Sequence, residues 1–407
     1  MQLAAVFTNF GPYHLARLRA LADRLGRSGA KLRAYEMAGT ERLYPWVVAQ
    51  CKEPFDWITL VPDRTLESLS KLHCARAMTR ALDRDQPDAV AVAGYARPES
   101  LAALAWARRQ GRPVILMSET QGLDYRRPWW REALKGRLVR RFDSALVGGP
   151  RHRDYLIGLG MPPERIILGY NAVDNARYAD LAEASRRASK GRQGLPQRPY
   201  FLAVNRFAPE KNLPALVRAF AAYRAGEPAE HGWDLVLCGG GPGEGEVDAA
   251  IRGAGLAHAV HRPGFLQADE LTRWYAFASA FVHPSLLEPW GLVVNEAAAC
   301  ALPLLISDRA GCVETLVPDP AGTTGRRFNP SNKHDLTENL RWMASLSLDA
   351  RDAMGRRASA VVADWGPERF ALGMVEALKA AGSPTPSSSS FPLIRRPTRL
   401  AREGVSP

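Results

Sequence analysis

Cysteine is scarce, with five residues in 407, scattered at Cys51, Cys74, Cys238, Cys300 and Cys312. An odd number at irregular spacing argues against a disulfide framework and for reduced thiols in a cytoplasm. No Cys/His group has metal-ligand spacing, so no structural zinc is expected. Long apolar runs are missing as well. No stretch reaches the roughly 20 residues that span a bilayer. The chain opens directly on an apolar run at 3–8 with no basic leader, which reads as a first strand and not a signal peptide. Acidic residues are in deficit, 42 against 54 Lys and Arg, for a net charge of +12. That excess suits anionic partners: a nucleotide sugar, a lipid surface or nucleic acid. No recognisable nucleic-acid-binding motif accompanies the basic residues, so nucleic acid is not the expected partner.

What remains is an ordinary soluble composition, 46% hydrophobic and 24% charged, in a chain long enough for two domains. Short apolar runs at 31–36, 57–61, 89–93, 114–118 and 144–148 alternate with helical runs at 13–26, 66–84 and 99–110. This alternation predicts a parallel, doubly wound α/β sheet. The polar stretch 181–198 is rich in Ser, Arg and Gln and reads as a linker, closing a first domain at about residue 180. Alternation resumes over a second domain, 199–365, and a final helix is expected over 366–381. The Pro- and Ser-rich tail, 383–407, has too little apolar surface to fold.

The richest segment is Leu287-Glu288-Pro289-Trp290-Gly291-Leu292-Val293-Val294-Asn295-Glu296-Ala297. Pro289 and Gly291 predict a turn, then a helix over 293–302, with Glu288 before it and Glu296 a turn inside. The amides of Gly291, Leu292 and Val293 then have no helical acceptor, and such a helix start attracts an anion. Upstream, a buried strand at 200–204 ends in Asn205-Arg206-Phe207-Ala208-Pro209-Glu210-Lys211-Asn212. Arg206 and Lys211 thus arrive at the carboxyl end of a strand, where open parallel sheets bind ligands. Two cations there suit a diphosphate. An apolar strand at 234–238 precedes Gly239-Gly240-Gly241-Pro242-Gly243, and Val260-His261-Arg262-Pro263-Gly264-Phe265-Leu266 follows.

Taken in order, Arg-Phe-x-x-Glu-Lys-Asn, the Gly-rich strand end, Gly-Phe-Leu and Glu-x7-Glu resemble the retaining family-4 (group 1) glycosyltransferases of GT-B fold. Tyr170-Asn171-Ala172-Val173-Asp174 is similar to that family's Pro-Asn-Gly-Val-Asp element. The resemblance covers nearly the whole chain and is strongest over 200–316. It implies two Rossmann-like domains facing a central cleft, with donor on the second and acceptor on the first. It implies that the final helix crosses back onto the first domain. Arg206 and Lys211 would then hold the diphosphate of a nucleotide sugar, UDP-linked for preference. Glu288 would meet the transferred sugar, Glu296 the ribose, and the backbone near Phe265 the base. Asn205 and the amides of Gly291, Leu292 and Val293 complete the donor site. No cofactor and no metal are expected. The family's mechanism has the leaving phosphate take the acceptor proton on the retained face.

On the first domain, Asn9-Phe10-Gly11-Pro12-Tyr13-His14 joins strand to helix. Gly11 permits close backbone approach to phosphates, and His14 has two open readings, ligand contact or helix cap. Where relatives carry histidines, this chain has Tyr95 and Glu119, the groups expected to face the acceptor. Glu119 reads either as an acceptor-orienting base or as an exposed strand-end carboxylate. From 126 to 141, R-R-P-W-W-R-E-A-L-K-G-R-L-V-R-R holds one acid among its cations, with Trp130, Leu134 and Leu138 on one face. That pattern fits the headgroup region of an anionic bilayer, or else a core helix with a solvated basic back. The acceptor implied is a lipid-linked or polysaccharide precursor at the inner membrane face. Rival readings are a sugar-nucleotide epimerase or hydrolase on the same fold, and a non-enzymatic basic scaffold.

Overall fold

Seven apolar runs of the first half pair side by side, all parallel, into one sheet. They are β1 (Gln2–Val6), β2 (Lys31–Glu36), β3 (Asp56–Thr59), β4 (Ala89–Ala93), β5 (Val114–Ser118), β6 (Ser144–Val147) and β7 (Ile166–Leu168). The computed structural model describes residues 1–41, 52–125, 127–228, 231–319 and 322–382. Strand order is β3-β2-β1-β4-β5-β6-β7. A second parallel sheet holds β8 (Tyr200–Val204), β9 (Asp234–Cys238), β10 (Val260–Gly264), β11 (Ala280–His283), β12 (Leu304–Ser307) and β13 (Gly325–Phe328), in the order β10-β9-β8-β11-β12-β13. The fold is the two-domain Rossmann-like GT-B arrangement.

Both sheets are covered on both faces, which is why their strands read as continuous apolar runs. Leu3 and Ala5 pack on one side with Phe370 and Met374, while Ala4 and Val6 pack on the other with Met78 and Trp106. Strand order reverses between β1 and β4, and again between β8 and β11. At such a reversal the flanking helices diverge and leave a crevice beyond the strand ends. Both crevices carry the residues singled out from the sequence.

Two boundaries differ from expectation. The stretch from 181 does not begin as a linker, because helix Asn175–Arg187 runs through it. Tyr178 and Ala182, four apart, are buried against the second domain's core, and the polar residues are the solvated side of that helix. Arg186 fixes its end by donating to the carbonyls of Ala276 and Cys300 at 3.0 and 2.7 Å. The helix expected from 66 starts at Lys71, where the Ser70 side chain accepts the His73 amide at 3.2 Å. Strand β7 was not anticipated; three residues carry no readable period. The 383–407 tail, Cys51 and Arg126 lie outside the described residues.

The last helix, Pro367–Ala380, returns to the first domain and packs on helix Pro12–Gly26. Phe370, Ala371, Met374, Ala377 and Leu378 enter that core, and the Ser144 hydroxyl donates to the Ala377 carbonyl at 2.7 Å. Phe370 is fully buried against Tyr170, with ring centres 6.2 Å apart. Phe370→Ala is therefore expected to destabilise the first domain by about 3–5 kcal/mol, read as a lower urea midpoint.

Candidate active site

The loop leaving β8 is held close to β9 by glycine. A Cβ on Gly239, which has φ +128°, would stand 1.9 Å from the Asn205 carbonyl oxygen, so no other residue fits. The Asn205 side chain is buried at the strand end, and neither its Oδ1 nor its Nδ2 has a protein partner. A buried amide in this state takes its partner from outside the protein chain, a water or a ligand's polar group. Arg206 pairs with Glu210 at 2.5 Å, and its Nε is buried without an acceptor. The Glu210 carbonyl accepts the Leu286 amide at 2.8 Å and so joins this loop to the one leaving β11.

That second loop brings Glu288 to Lys211, Nζ to Oε2, at 2.6 Å. His283, at the end of β11, donates from Nε2 to the same oxygen at 2.8 Å, with the Ser285 hydroxyl 3.1 Å from that nitrogen. Burial would raise the Glu288 carboxyl, but the Lys211 ammonium and His283 overcome it and hold the group at about 2. Glu288 is thus a fixed anion. Gly291 turns the chain into helix Leu292–Ala299 at φ +101°, where a Cβ would press to 3.3 Å from the Glu288 side chain. The amides of Leu292 and Val293 open the helix and meet no acceptor among the described residues.

Glu296 lies one turn inside that helix, as expected, but not bare. Its carboxylate accepts from Tyr178 at 2.9 Å, from Tyr275 at 2.8 Å, and from Tyr13 of the first domain. Burial raises the carboxyl above its ordinary value, with the phenol hydrogen bonds opposing.

Across the cleft, the Gly11 amide donates to His14 Nδ1 at 3.0 Å. The cap reading of His14 is therefore met, and burial with Arg17 nearby pushes its imidazole down to about 3, so the ring is neutral. Sequence reasoning overlooked that the pattern repeats. Gly149-Pro150-Arg151-His152 opens helix Pro150–Gly158 with the same Gly149 amide to His152 Nδ1 bond, 3.0 Å. The signal was present as two Gly-Pro-x-His tetrapeptides. His152 spends its other nitrogen on the Pro289 carbonyl at 2.8 Å, and Gln121 Nε2 donates to the carbonyls of Glu288 and Arg309 at 2.9 and 3.0 Å. Arg151 reaches Glu314 and the Asp308 carbonyl at 2.8 and 2.7 Å. His283, Gln121 and His152 are site residues the sequence did not flag.

Glu119 is exposed and accepts from Asn171 Nδ2 at 2.7 Å. Asn171 in turn neighbours Trp290, since a Cβ on Gly148 would touch both at 2.7 and 2.9 Å. Phe265 is 46% exposed past the end of β10, which is joined to the glycine run after β9 by the Gly239 amide donating to the Gly264 carbonyl at 2.8 Å. Tyr95 is a correction. It does not face the cleft; it is buried, with its hydroxyl turned to Thr120 and Tyr155, because the β4 end packs into the first domain's own core. The chain also holds an Asp-x-Asp triplet, Asp83-Arg84-Asp85, but it ends a helix and is spent on Trp106 at 2.7 Å, Tyr35 at 2.7 Å and Arg33 at 2.9 Å.

With this geometry in view, comparison with known proteins is informative. The family model for glycosyl transferases group 1 matches residues 185–380, and that for Glycosyltransferase Family 4 matches 16–177. The chain is 32% identical over 191 residues to an alpha-D-kanosaminyltransferase of Streptomyces kanamyceticus, covering 46% of this chain and 47% of that protein. It is 30% identical over 243 residues to a D-inositol 3-phosphate glycosyltransferase of Salinispora arenicola, covering 56% and 53%. The chain spans about half the length of the curated relatives it matches. Among solved structures, sucrose-phosphate synthase of Thermosynechococcus elongatus superposes with TM-score 0.71 at 18% identity, covering 93% of this chain and 98% of that one. Anabaena HepE in complex with UDP and glucose gives 0.70 at 17%, covering 93% and 100%. At these identities the structures speak for the fold.

The state of Glu288 gives a pH prediction. Its carboxyl is depressed from 4.5 to about 2 in the folded protein, so its stabilisation is complete above pH 4.5 and is lost as pH falls through about 2. Chemical denaturation should show Glu288→Gln less stable than the parent by on the order of 3 kcal/mol at neutral pH. That gap should close in the acid window.

Proposed function

The chain belongs to the group 1 glycosyltransferases, and on that footing we propose that it is a retaining, metal-independent hexosyltransferase. Its donor is a nucleotide-diphosphate sugar, with uridine sugars first in line, and its acceptor a hydroxyl of a lipid-linked or polysaccharide precursor. The observation that carries the reading is the Lys211–Glu288 contact, 2.6 Å, at the mouth of a helix whose first amides are open. A cation, an anion and free N–H groups within one crevice are what a diphosphate joined to a sugar requires.

Lys211, Arg206 and the amides of Leu292 and Val293 would share the diphosphate. They take up the charge that grows on it as the glycosidic bond breaks, usually a large contribution to rate. Glu288, kept ionised, would accept hydrogen bonds from hydroxyls of the transferred sugar. Glu296 would accept from the ribose once the Tyr13 hydroxyl yields its place. The unpartnered amide of Asn205 is suited to phosphate or ribose oxygens. Glu119, exposed and steadied by Asn171, would orient the acceptor hydroxyl. Two cations and a helix start replace the charge a divalent ion supplies elsewhere. The acceptor proton then leaves with the phosphate on the same face of the sugar, and the anomeric configuration is kept.

Lys211→Ala and Glu288→Ala should each lower transfer from a labelled sugar nucleotide by at least ~100-fold, with unchanged circular dichroism. Full activity in either variant overturns the site assignment. Donor incubated alone serves as control; rapid epimerisation or hydrolysis there would favour the rival enzyme class.

A further inference from the structure

We propose that helix Trp129–Val139 and the loop before it form a docking surface for an anionic lipid bilayer. Eleven large apolar side chains are exposed among the described residues, and five of them, Leu123, Tyr125, Trp129, Trp130 and Leu134, fall within twelve consecutive positions. Trp129 is 81% exposed and Leu134 61%. The C-terminal end of the helix anchors it, with Val139 buried in the first domain's core and Leu138 packed against it, while Trp129, Trp130 and Leu134 stay outside. The core-helix reading thus holds for Leu138 and not for Trp130 and Leu134, the other two residues of that face.

The helix is also held on its polar side. Lys135 donates to Glu132 and to the Tyr155 hydroxyl, both at 3.1 Å, and Tyr155 donates to Glu132 at 2.8 Å. Arg127 joins them, 3.2 Å from the Tyr155 hydroxyl. Asp124 accepts the Gln121 amide at 3.0 Å. Both acids between 120 and 141 are thus half-buried and engaged within the protein. Arg131, Arg137 and Arg141 are all exposed, and the Arg131 guanidinium lies 5.1 Å over the Trp130 ring.

Tryptophan and tyrosine flanked by arginine, with the neighbouring acids already engaged, match the headgroup layer of an anionic membrane. An apolar protein partner would leave the exposed arginines uncompensated, whereas anionic headgroups meet both them and the aromatic rings. The surface also continues into the cleft. Gln121, which clamps the Glu288 and Arg309 carbonyls, and Glu119 lie on the segment that leads into the Trp129–Val139 helix. A bilayer seated there would present a lipid-linked hydroxyl beside the cleft. That last step rests on the transfer reading, whereas the docking itself does not.

The test is flotation of the full chain with vesicles of equal phosphatidylglycerol and phosphatidylcholine, against pure phosphatidylcholine. The wild type should float with the anionic vesicles, leave them in high salt, and stay behind with neutral ones. Replacing both Trp129 and Trp130 by Ala, or Arg131 and Arg137 by Glu, should weaken binding by at least ~10-fold while uridine diphosphate binding is retained. Equal flotation of the variants, no flotation of the wild type, or equal binding to neutral vesicles overturns the proposal. Self-association that the Trp pair abolishes, without flotation, also overturns it. Loss of nucleotide binding in a chain that still floats counts against the transfer reading alone.

Discussion

One buried ion pair, Lys211 to Glu288, organises the second domain's half of the cleft. It joins the loop after β8 to the loop after β11 across the reversal of strand order, where the crevice opens. Against an apolar pair of the same shape such a contact adds little net stability, because desolvating both charges offsets their attraction, although removing one partner is costly since it strands the other. Its value is positional. It keeps a carboxylate ionised against the upward push of burial, with His283 as second support. Gly291 then lets the chain turn tightly against Glu288 and start a helix with open amides.

The backbone around that pair is held from the other domain. Gln121 binds the Glu288 carbonyl, His152 the Pro289 carbonyl, and Tyr13 the Glu296 carboxylate. The loop that carries the charges is therefore shaped by the meeting of the two domains, so site geometry and domain approach are one variable. The twin Gly-Pro-x-His starts serve this unequally. His14 stiffens the Gly11 turn, while His152 does the same at Gly149 and also bridges the cleft.

Much of the framework was legible because parallel strands buried on both faces leave continuous apolar runs between helices. The second domain's half of the cleft was legible for a further reason. Its residues fall in contiguous motifs, so Arg206, Lys211, Glu288 and Glu296 could be placed before any coordinates. The first-domain half was not. Tyr95 sits at a strand end, as a ligand-facing residue would, yet packing against Tyr155 turns it inward, a long-range effect no local pattern carries. Gln121 and His152 act through contacts more than a hundred residues away in sequence. The 181–198 reading failed because the polar face of an amphipathic helix has the composition of a linker. Strand β7 was too short to show a period.

The account turns on where a diphosphate binds. A crystal structure of the protein with uridine, guanosine or adenosine diphosphate tests it most directly. The β-phosphate is expected within hydrogen-bond reach of Lys211, Arg206 and the Leu292 and Val293 amides. A diphosphate bound away from the crevice between β8 and β11, with the Lys211–Glu288 contact undisturbed, would contradict it.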